Sequence, residues 1–276
     1  MTSGMDWRGR VGDVWAAEWR RTDRSLADLS RHLDAAIASV APETGHALDI
    51  GSGGGATSLA LRAARPGLCV TGVDLSAELV AVARGRAGEV AGDRLHFRCG
   101  DALTVSADEG PFDLMCSRHG VMFFPDPVAA LTSLRGAARD GARLVFSCFA
   151  ERVANGFATL ADAAIGVAPP EEQGYLPGPF AFADMNRVSD WLTKSRWQPD
   201  SAARVSFDYV VGEGRDPLED ALSFLSKIGP AARALAQAAP PERERLLNAL
   251  GTRLAEYRVG DRITLPATAW IWQATA

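Results

Sequence analysis

The sequence predicts an α/β fold built around a doubly wound, mostly parallel sheet. Apolar runs of strand length alternate with segments of helical periodicity between residues 47 and 149. A glycine-rich turn, 51–55, directly follows the first of these runs. Strands that alternate with helices form parallel βαβ units with right-handed crossovers. We therefore expect a single sheet whose strands are joined by helical connections.

The predicted elements follow in order along the chain. Apolar residues at helical spacing predict one long or broken helix at 13–40, ahead of the core. The predicted core strands are 47–50, 69–73, 95–99, 113–116 and 142–149, and the predicted core helices are 56–64, 77–90 and 127–138. Beyond the core we expect helices at 184–194, 217–238 (interrupted at Gly229-Pro230) and 241–257, and strands at 203–211 and 263–273.

We expect one domain, 1–276, with a helical extension at its N-terminus. The extension covers 1–42 and the core covers 43–150. The Pro- and Gly-bearing stretches after residue 150, including Pro169-Pro170, predict a region that covers a substrate. In this division 151–202 and 212–261 are insertions, and 203–211 and 262–276 are the final strands.

Charge and hydropathy exclude several classes of partner. The formal net charge is −5, and no basic stripe supplies the surface that nucleic-acid binding needs. No apolar run approaches the ~20 residues that cross a bilayer, and residues 1–10 lack the apolar segment of a signal peptide. We expect a cytoplasmic protein, monomeric or homodimeric, with neither a nucleic-acid nor a membrane partner.

The four cysteines lie in apolar runs of strand character and form no C-x-x-C pair. They are Cys69, Cys99, Cys116 and Cys148. This placement favours buried free thiols over disulfides or a zinc site. We expect no metal centre.

The glycine turn forms the centre of the predicted ligand site. Asp49 opens a D-x-G-x-G-x-G pattern, in which glycines turn tightly and leave bare backbone for a ligand. The same segment also fits the G-x-G-x-x-G/A dinucleotide fingerprint, so a nicotinamide or flavin oxidoreductase remains an alternative. A carboxylate at Asp49 would repel a pyrophosphate but suits a ligand with an ammonium and a sulfonium group.

Two further acids follow the next predicted strands. Asp74 lies 74 − 51 = 23 residues beyond the first glycine, where it can accept hydrogen bonds from both ribose hydroxyls. Asp101 can accept from an adenine amino group while Ala102 offers a backbone donor. Asp101 alone fits equally well as the cap of a following helix.

These motifs resemble class I S-adenosylmethionine-dependent methyltransferases, through 49–55, 73–76 and Gly100-Asp101-Ala102. Within that family the segment 117–127, which contains Gly-Val-Met-Phe-Phe, resembles a bacterial small-molecule branch. The resemblance runs from about residue 47 to 149. It implies a seven-stranded Rossmann-like sheet whose last strand is antiparallel. The implied cofactor, S-adenosylmethionine, would contact Asp49, Gly51, Ser52, Gly53, Gly55, Asp74, Leu75, Asp101, Ala102 and Ser117.

Methyl transfer mainly requires an aligned acceptor and exclusion of water. Ser117, Arg118 and His119 follow the fourth strand, where the resemblance places the sulfonium. His119 is the candidate general base, because its ordinary pKa of about 6.5 leaves it neutral and basic near pH 7. The alternative, which the sequence favours, is an imidazole that only packs where an aromatic ring usually packs.

Aromatic residues predict an apolar acceptor pocket. Its candidate lining, with Arg118 and His119, is Trp15, Phe123, Phe124 and Tyr175. We also expect Trp19 to contact the cofactor, although its spacing of four residues from Trp15 fits ordinary packing. The predicted function is methyl transfer to an oxygen, nitrogen or carbon atom of a small molecule. A non-catalytic S-adenosylmethionine-binding protein is a further alternative.

Overall fold

The computed structural model describes residues 4–166 and 174–276. The strands are β1 (Gly45–Ile50), β2 (Leu68–Asp74), β3 (Leu95–Cys99), β4 (Phe112–Arg118), β5 (Ala138–Phe149), β6 (Gln198–Glu213), β7 (Arg258–Val259) and β8 (Arg262–Thr275). The helices are α1 (Gly4–Trp7), α2 (Arg10–Ala17), α3 (Trp19–Ser25), α4 (Ala27–Val40), α5 (Ala56–Ala64), α6 (Ala77–Ala87), α7 (Ala102–Glu109), α8 (Pro127–Gly136), α9 (Gly156–Ile165), α10 (Met185–Lys194), α11 (Pro217–Leu225), α12 (Pro230–Gln237) and α13 (Pro240–Ala255).

All the described strands belong to one sheet, in the order β3-β2-β1-β4-β5-β8-β6, with β7 added to β8. Strands β1 to β5 run parallel, and β8 lies antiparallel between β5 and β6. The predicted doubly wound α/β class and the antiparallel last strand are confirmed. The sheet has eight strands rather than seven, because the two-residue β7 pairs with the start of β8.

The strand order creates a crevice at the carboxyl ends of β1 and β4. The chain leaves β1 toward β2 and β3 and then returns to the other side of β1 to form β4. At such a reversal the connections diverge to opposite faces and leave a ligand-sized opening. The glycine turn follows β1 and residues 119–120 follow β4, so both predicted segments meet at this opening.

The buried core explains why the strands appear as apolar runs. In β1, Ala47, Leu48 and Ile50 are 0–2% exposed. Strands covered on both faces lose the alternation of apolar and polar residues. On α4, Leu29, Leu33 and Ile37 recur every four residues and are 0–1% exposed, so one stripe of this helix packs on the core.

Several predicted boundaries differ from the structure. The segment predicted as one long or broken helix forms α2, α3 and α4, separated at Glu18 and Leu26. Helix α6 ends at Ala87 rather than at 90. Helices α7 and α9 were not predicted: α7 is short and polar, and its signal is the N-cap of Asp101, whereas α9 is apolar enough to resemble a strand.

The division into extension, core and insertions stays a proposal. The predicted strand 203–211 is the central part of the longer β6, and the predicted 263–273 lies within β8. Pro169-Pro170, part of the predicted insertion 151–202, lies outside the described residues.

The cysteines are free, as predicted, but they are not all buried. Cys116 and Cys148 are buried, Cys69 is half-buried and Cys99 is exposed. The expectation of a buried thiol was wrong for Cys99, because β3 is the edge strand and its end opens to solvent. Burial raises the pKa of the Cys116 and Cys148 thiols.

Candidate active site

The glycine turn adopts a backbone that side chains disfavour. Gly51, Gly53 and Gly55 have φ of 66°, 53° and 82°, which lie in the left-handed region. A Cβ on Gly51 would lie 3.0 Å from the Cα of Gly120, whereas one on Gly53 would meet nothing within 4 Å. The turn is therefore pressed against the end of β4 on one side and open beside Gly53.

Asp74 joins the end of β2 to this turn. Its Oδ2 accepts a hydrogen bond of 2.8 Å from the Gly53 N–H, and its Oδ1 accepts one of 2.9 Å from the Ser76 N–H. Burial raises the pKa of Asp74, and these backbone donors oppose that rise. A carboxylate has about four acceptor sites, so Asp74 retains capacity for two ribose hydroxyls.

Asp49 is buried beneath the turn at 1% exposure. Its Oδ2 accepts a 2.6 Å hydrogen bond from the Ser58 hydroxyl. Burial raises the pKa of Asp49 to about 6; the Ser58 bond and the Arg118 charge oppose the rise, and the Asp34 and Asp74 charges add to it. A cationic group bound nearby would stabilise the ionised form.

The end of β3 lies beside the end of β2. The Gly100 N–H donates to the Asp74 carbonyl at 2.9 Å. Asp101 is exposed, and its Oδ1 caps α7 by accepting from the Leu103 and Thr104 N–H groups at 2.8 and 3.4 Å. Asp101 thus caps the N-terminus of α7, which is the alternative role that the sequence allowed. Recognition of adenine by Asp101 and Ala102 stays a prediction. Leu75 and Ala102 are half-buried at these strand ends.

One polar atom in the turn lacks a partner. The Ser52 hydroxyl is buried and makes no hydrogen bond within residues 4–166 and 174–276. Together with the space beside Gly53 and the carboxylates of Asp49 and Asp74, it fits a ligand with an amino acid end and a ribose. The residues present therefore fit S-adenosylmethionine.

Ser117 and Arg118, at the end of β4, are engaged with other parts of the protein. The Ser117 hydroxyl donates to the Ile50 carbonyl at 2.7 Å and accepts from the Gly120 N–H at 3.1 Å. The Arg118 guanidinium donates to Asp23 at 2.7 Å and to Ser30 at 2.9 Å. The Ser117 side chain thus links the ends of β1 and β4, and the Arg118 side chain links the end of β4 to α3 and α4. Among the described contacts of Arg118, none is with a residue of the predicted acceptor pocket.

His119 is buried at 7% exposure and has a φ of +64°, which is uncommon for a residue with a side chain. Its Nδ1 lies 2.7 Å from the Ser147 hydroxyl on β5, and its ring packs edge-on against Phe149 with centroids 4.1 Å apart. Burial lowers its pKa to about 3; the Arg118 charge adds to this, and the backbone of Ser147 opposes it. The imidazole is neutral at pH 7 and a weak base.

The N-terminal helices cover the glycine turn through a network that the sequence motifs did not reveal. Asp23 forms ion pairs of 2.7 Å with Arg118 and 2.8 Å with Arg86. Arg86 donates to the Gly54 carbonyl and stacks on the Trp19 ring, 4.3 Å from its centroid. Trp19 therefore lies beside the turn. Cofactor binding by Trp19 itself stays a prediction.

Helix α2 crosses the start of α6 close to Asp74, the carboxylate predicted to bind the ribose. A Cβ on Gly12 would lie 2.5 Å from the Ser76 Oγ, so only glycine permits this approach. Ser76 is the N-cap of α6. Gly12 could not be selected from the sequence, because an isolated glycine in a helical segment carries no recognisable signal.

The predicted aromatic residues lie in two groups. Trp15 packs on Trp7, which also contacts Phe123, with centroid distances of 5.5 and 5.1 Å. Tyr175 donates a 2.6 Å hydrogen bond to the Phe124 carbonyl and packs edge-on against Trp191. The hydroxyl of Tyr175 thus anchors the segment after residue 173 to the end of β4. Whether these side chains line an acceptor pocket stays a prediction.

A cleft of about 510 Å³ lies apart from these residues. Its lining includes Arg152, Phe180, Asp184, Arg187 and Trp270. Two aromatic residues of this lining make cation–π contacts: the Arg152 guanidinium lies over the Phe180 ring, and that of Arg204 lies over the Trp270 ring. None of the predicted site residues lines it.

The described part of the chain holds neither a cluster of potential metal ligands nor a helix long and apolar enough to cross a bilayer.

Comparison with known proteins identifies the core. Residues 48–146 match the family described as "Methyltransferase domain". The chain is 34% identical over 102 residues to a ubiquinone biosynthesis O-methyltransferase of Coxiella burnetii, a stretch of 37% of this chain and 42% of that protein. It is 35% identical over 98 residues to a demethylmenaquinone methyltransferase of Thermus thermophilus, covering 36% and 44% of the two chains. The chain thus spans less than half the length of these relatives.

Structural similarity extends beyond this core. A Haemonchus contortus phosphoethanolamine N-methyltransferase 2, solved in complex with S-adenosyl-L-methionine, matches 100% of this chain and 60% of its own, with a TM-score of 0.55 and 16% identity. At that identity the likeness concerns the fold. The resemblance recognised in the sequence is confirmed at the level of the family, and the narrower likeness to a branch with the Gly-Val-Met-Phe-Phe segment stays a prediction. Residues 48–146 match a methyltransferase domain, and this match agrees with the resemblance to class I S-adenosylmethionine-dependent methyltransferases.

Proposed function

We propose that the protein transfers a methyl group from S-adenosylmethionine to an oxygen, nitrogen or carbon atom of a small molecule. The observation that carries this proposal is the open glycine turn between the buried carboxylate of Asp49 and the half-buried carboxylate of Asp74, within the segment that matches the methyltransferase family. The names of the relatives, which include an O-methyltransferase and a demethylmenaquinone methyltransferase, support a small acceptor.

The residues of the turn have separate roles in this proposal. Asp74 accepts the ribose hydroxyls while its bond to Gly53 keeps the turn in place. Asp49 and the Ser52 hydroxyl hold the amino acid end of the cofactor, because both are buried and retain hydrogen-bonding capacity. The bound cofactor supplies a methyl group on a cationic sulphur. The protein orients the acceptor and excludes water, which is the main requirement of a displacement at carbon.

The N-terminal helices complete the enclosure. The ion pairs of Asp23 connect α3 to the end of β4 and to α6, and Arg86 reaches the carbonyl of Gly54. We propose that this cover keeps water from the bound cofactor. The cytoplasmic location, the lack of a nucleic-acid partner and the monomeric or dimeric state stay predictions of the sequence.

Ligand binding and product formation test the proposal separately. In isothermal calorimetry, S-adenosylhomocysteine binds and NADH does not. Incubation with S-adenosylmethionine and a panel of phenols, amines and activated carbon acids then yields S-adenosylhomocysteine and a methylated product, detected by mass spectrometry. Binding of S-adenosylhomocysteine without product for any acceptor would favour a binding protein, and binding of NADH alone would favour an oxidoreductase.

A further inference from the structure

His119 carries a buried nitrogen that no described residue satisfies. The Nε2 atom has no hydrogen-bond partner within 4–166 and 174–276, although the ring is only 7% exposed. Buried polar atoms in folded proteins are paired as a rule, so each exception calls for an explanation. The other nitrogen, Nδ1, lies 2.7 Å from the Ser147 hydroxyl.

The direction of the hydrogen bond between His119 and Ser147 determines which nitrogen carries the proton. Ser147 is fully buried, and its hydroxyl has this one hydrogen bond within the described chain. If Nδ1–H donated to the Ser147 hydroxyl or to the Ser147 carbonyl, both the hydroxyl proton and the Nε2 lone pair would be buried without a partner. If Ser147 donates to Nδ1, only the Nε2–H remains unpaired. Since each buried unpaired group costs free energy, the second arrangement is favoured.

The position of His119 in the chain places its backbone beside the crevice. Gly120, the next residue, would place a Cβ 3.2 Å from the Gly51 Cα, so the backbone that follows His119 adjoins the glycine turn. The ring contacts Phe149, which packs on Phe157 and Phe180 at 4.9 and 6.1 Å. The histidine thus follows the strand that ends at the crevice, and its ring packs against a largely buried aromatic cluster formed by β5, α9 and Phe180.

We propose that Ser147 donates its hydroxyl proton to His119 Nδ1 and thereby holds His119 as a hydrogen-bond donor through Nε2–H toward the methyl acceptor. This inference rests on the proposed function, and it gives His119 a role other than that of a general base. The acceptor then presents an oxygen with a free lone pair, such as a carbonyl or a phenolic oxygen, to Nε2–H. Ser147 is a positioning residue that acts through the imidazole. The weak basicity of the buried ring agrees with this role.

The tautomer of His119 is directly measurable. The chain has four histidines, and the protein labelled with ¹⁵N-histidine gives a distinct long-range ¹H–¹⁵N pattern for each tautomer. The spectrum of His119→Asn identifies the His119 signals by their absence. We expect an Nε2–H tautomer that does not titrate between pH 5.5 and 8. An Nδ1–H tautomer, or an imidazolium at pH 6, overturns the proposal.

Variants of Ser147 test the positioning role. In Ser147→Ala the Nδ1 signal loses the shift of a hydrogen-bonded nitrogen and both tautomers become populated, whereas Ser147→Thr keeps the hydroxyl and the parent pattern. Ser195→Ala is the matched control, because it removes another fully buried hydroxyl, bonded to the Val128 carbonyl. A parent pattern in Ser147→Ala refutes the role of Ser147. If Ser147→Ala does not fold, the spectra of the parent and of Ser147→Thr test the role of Ser147. A Ser147→Thr spectrum that departs from the Nε2–H pattern refutes that role.

The same samples separate this inference from the proposed function. The tautomer is read without cofactor or acceptor, and binding of S-adenosylhomocysteine is measured independently. A protein that binds S-adenosylhomocysteine but holds the Nδ1–H tautomer keeps the proposed function and refutes the donor role. A protein with the Nε2–H tautomer that does not bind S-adenosylhomocysteine refutes the proposed function instead.

Discussion

Removal of the Asp23 carboxylate should detach the N-terminal cover from the glycine turn. Asp23 is 22% exposed in its side chain and pairs with two arginines, Arg118 at 12% and Arg86 at 23% exposure. Exposed ion pairs contribute about 0–1 kcal/mol, whereas removing one partner of a buried pair costs about 3–5 kcal/mol. Because these side chains lie between the two limits, Asp23→Ala should lower the free energy of unfolding by roughly 2–3 kcal/mol.

The effect of Asp23→Ala should be confined to the N-terminal helices. Arg118 keeps its bond to Ser30, and Arg86 keeps its bond to Gly54 and its stacking on Trp19. The sheet should therefore stay folded while α3 loosens. A loss of this size in a chain of this length corresponds to a fall in Tm of roughly 5–10 °C.

Thermal and urea unfolding measure this effect, with Asp190→Ala as the matched control. Asp190 also pairs with a cation, Lys194 at 2.7 Å, but both side chains are more than half exposed. Its removal should change stability by at most about 0.5 kcal/mol. Calorimetry should show weaker binding of S-adenosylhomocysteine to Asp23→Ala than to Asp190→Ala. Equal stability and equal affinity of the two variants would refute the account of the cover.

Three further outcomes are expected from the burial of individual side chains. Asp49 has a folded pKa of about 6, above its unfolded value, so between about pH 4 and 6 the folded state binds more protons and stability falls as pH rises. Asp49→Asn should flatten this slope in urea titrations, and an unchanged slope would contradict the burial argument. Cys99 is exposed while Cys116 and Cys148 are buried, so a maleimide should label Cys99 first under native conditions; preferential labelling of either buried thiol, seen by peptide mass spectrometry, would contradict the placement of β3. His119→Asn keeps an N–H donor but removes the base, so kcat should stay within about tenfold of the parent, since a retained hydrogen bond limits the loss to about 1.4 kcal/mol. A thousandfold or greater loss of kcat would instead indicate that His119 acts as a general base.

The sheet and the glycine turn were predictable because local patterns specify them. Apolar runs identified the parallel strands, and Asp49 and Asp74 stood where the strands end, so chain order was enough to bring them to one edge. The turn needs positive φ at Gly51 and Gly53, which is the reason the glycines are visible as a motif. These features depend on residues close together in the sequence.

The cover and the environment of His119 could not be predicted, because they depend on distant contacts. Asp23 meets Arg118 across 95 positions, and Ser147 meets His119 across 28. Neither Asp23 nor Ser147 forms part of a recognisable pattern. The expectation of a basic His119 rested on the ordinary pKa of a solvated imidazole, and burial lowers that pKa.

Calorimetry of S-adenosylhomocysteine binding to the parent and to Asp74→Ala shows whether the glycine turn and its carboxylate hold the cofactor. Asp74 holds the turn through Gly53 and has capacity for two ribose hydroxyls, and hydrogen bonds to a charged group are worth about 1.5–3 kcal/mol each. We predict saturable binding to the parent and a dissociation constant at least about a hundredfold higher for Asp74→Ala, the result of losing two such bonds. Equal affinities in the two proteins, or no binding to the parent, would show that this turn is not the cofactor site.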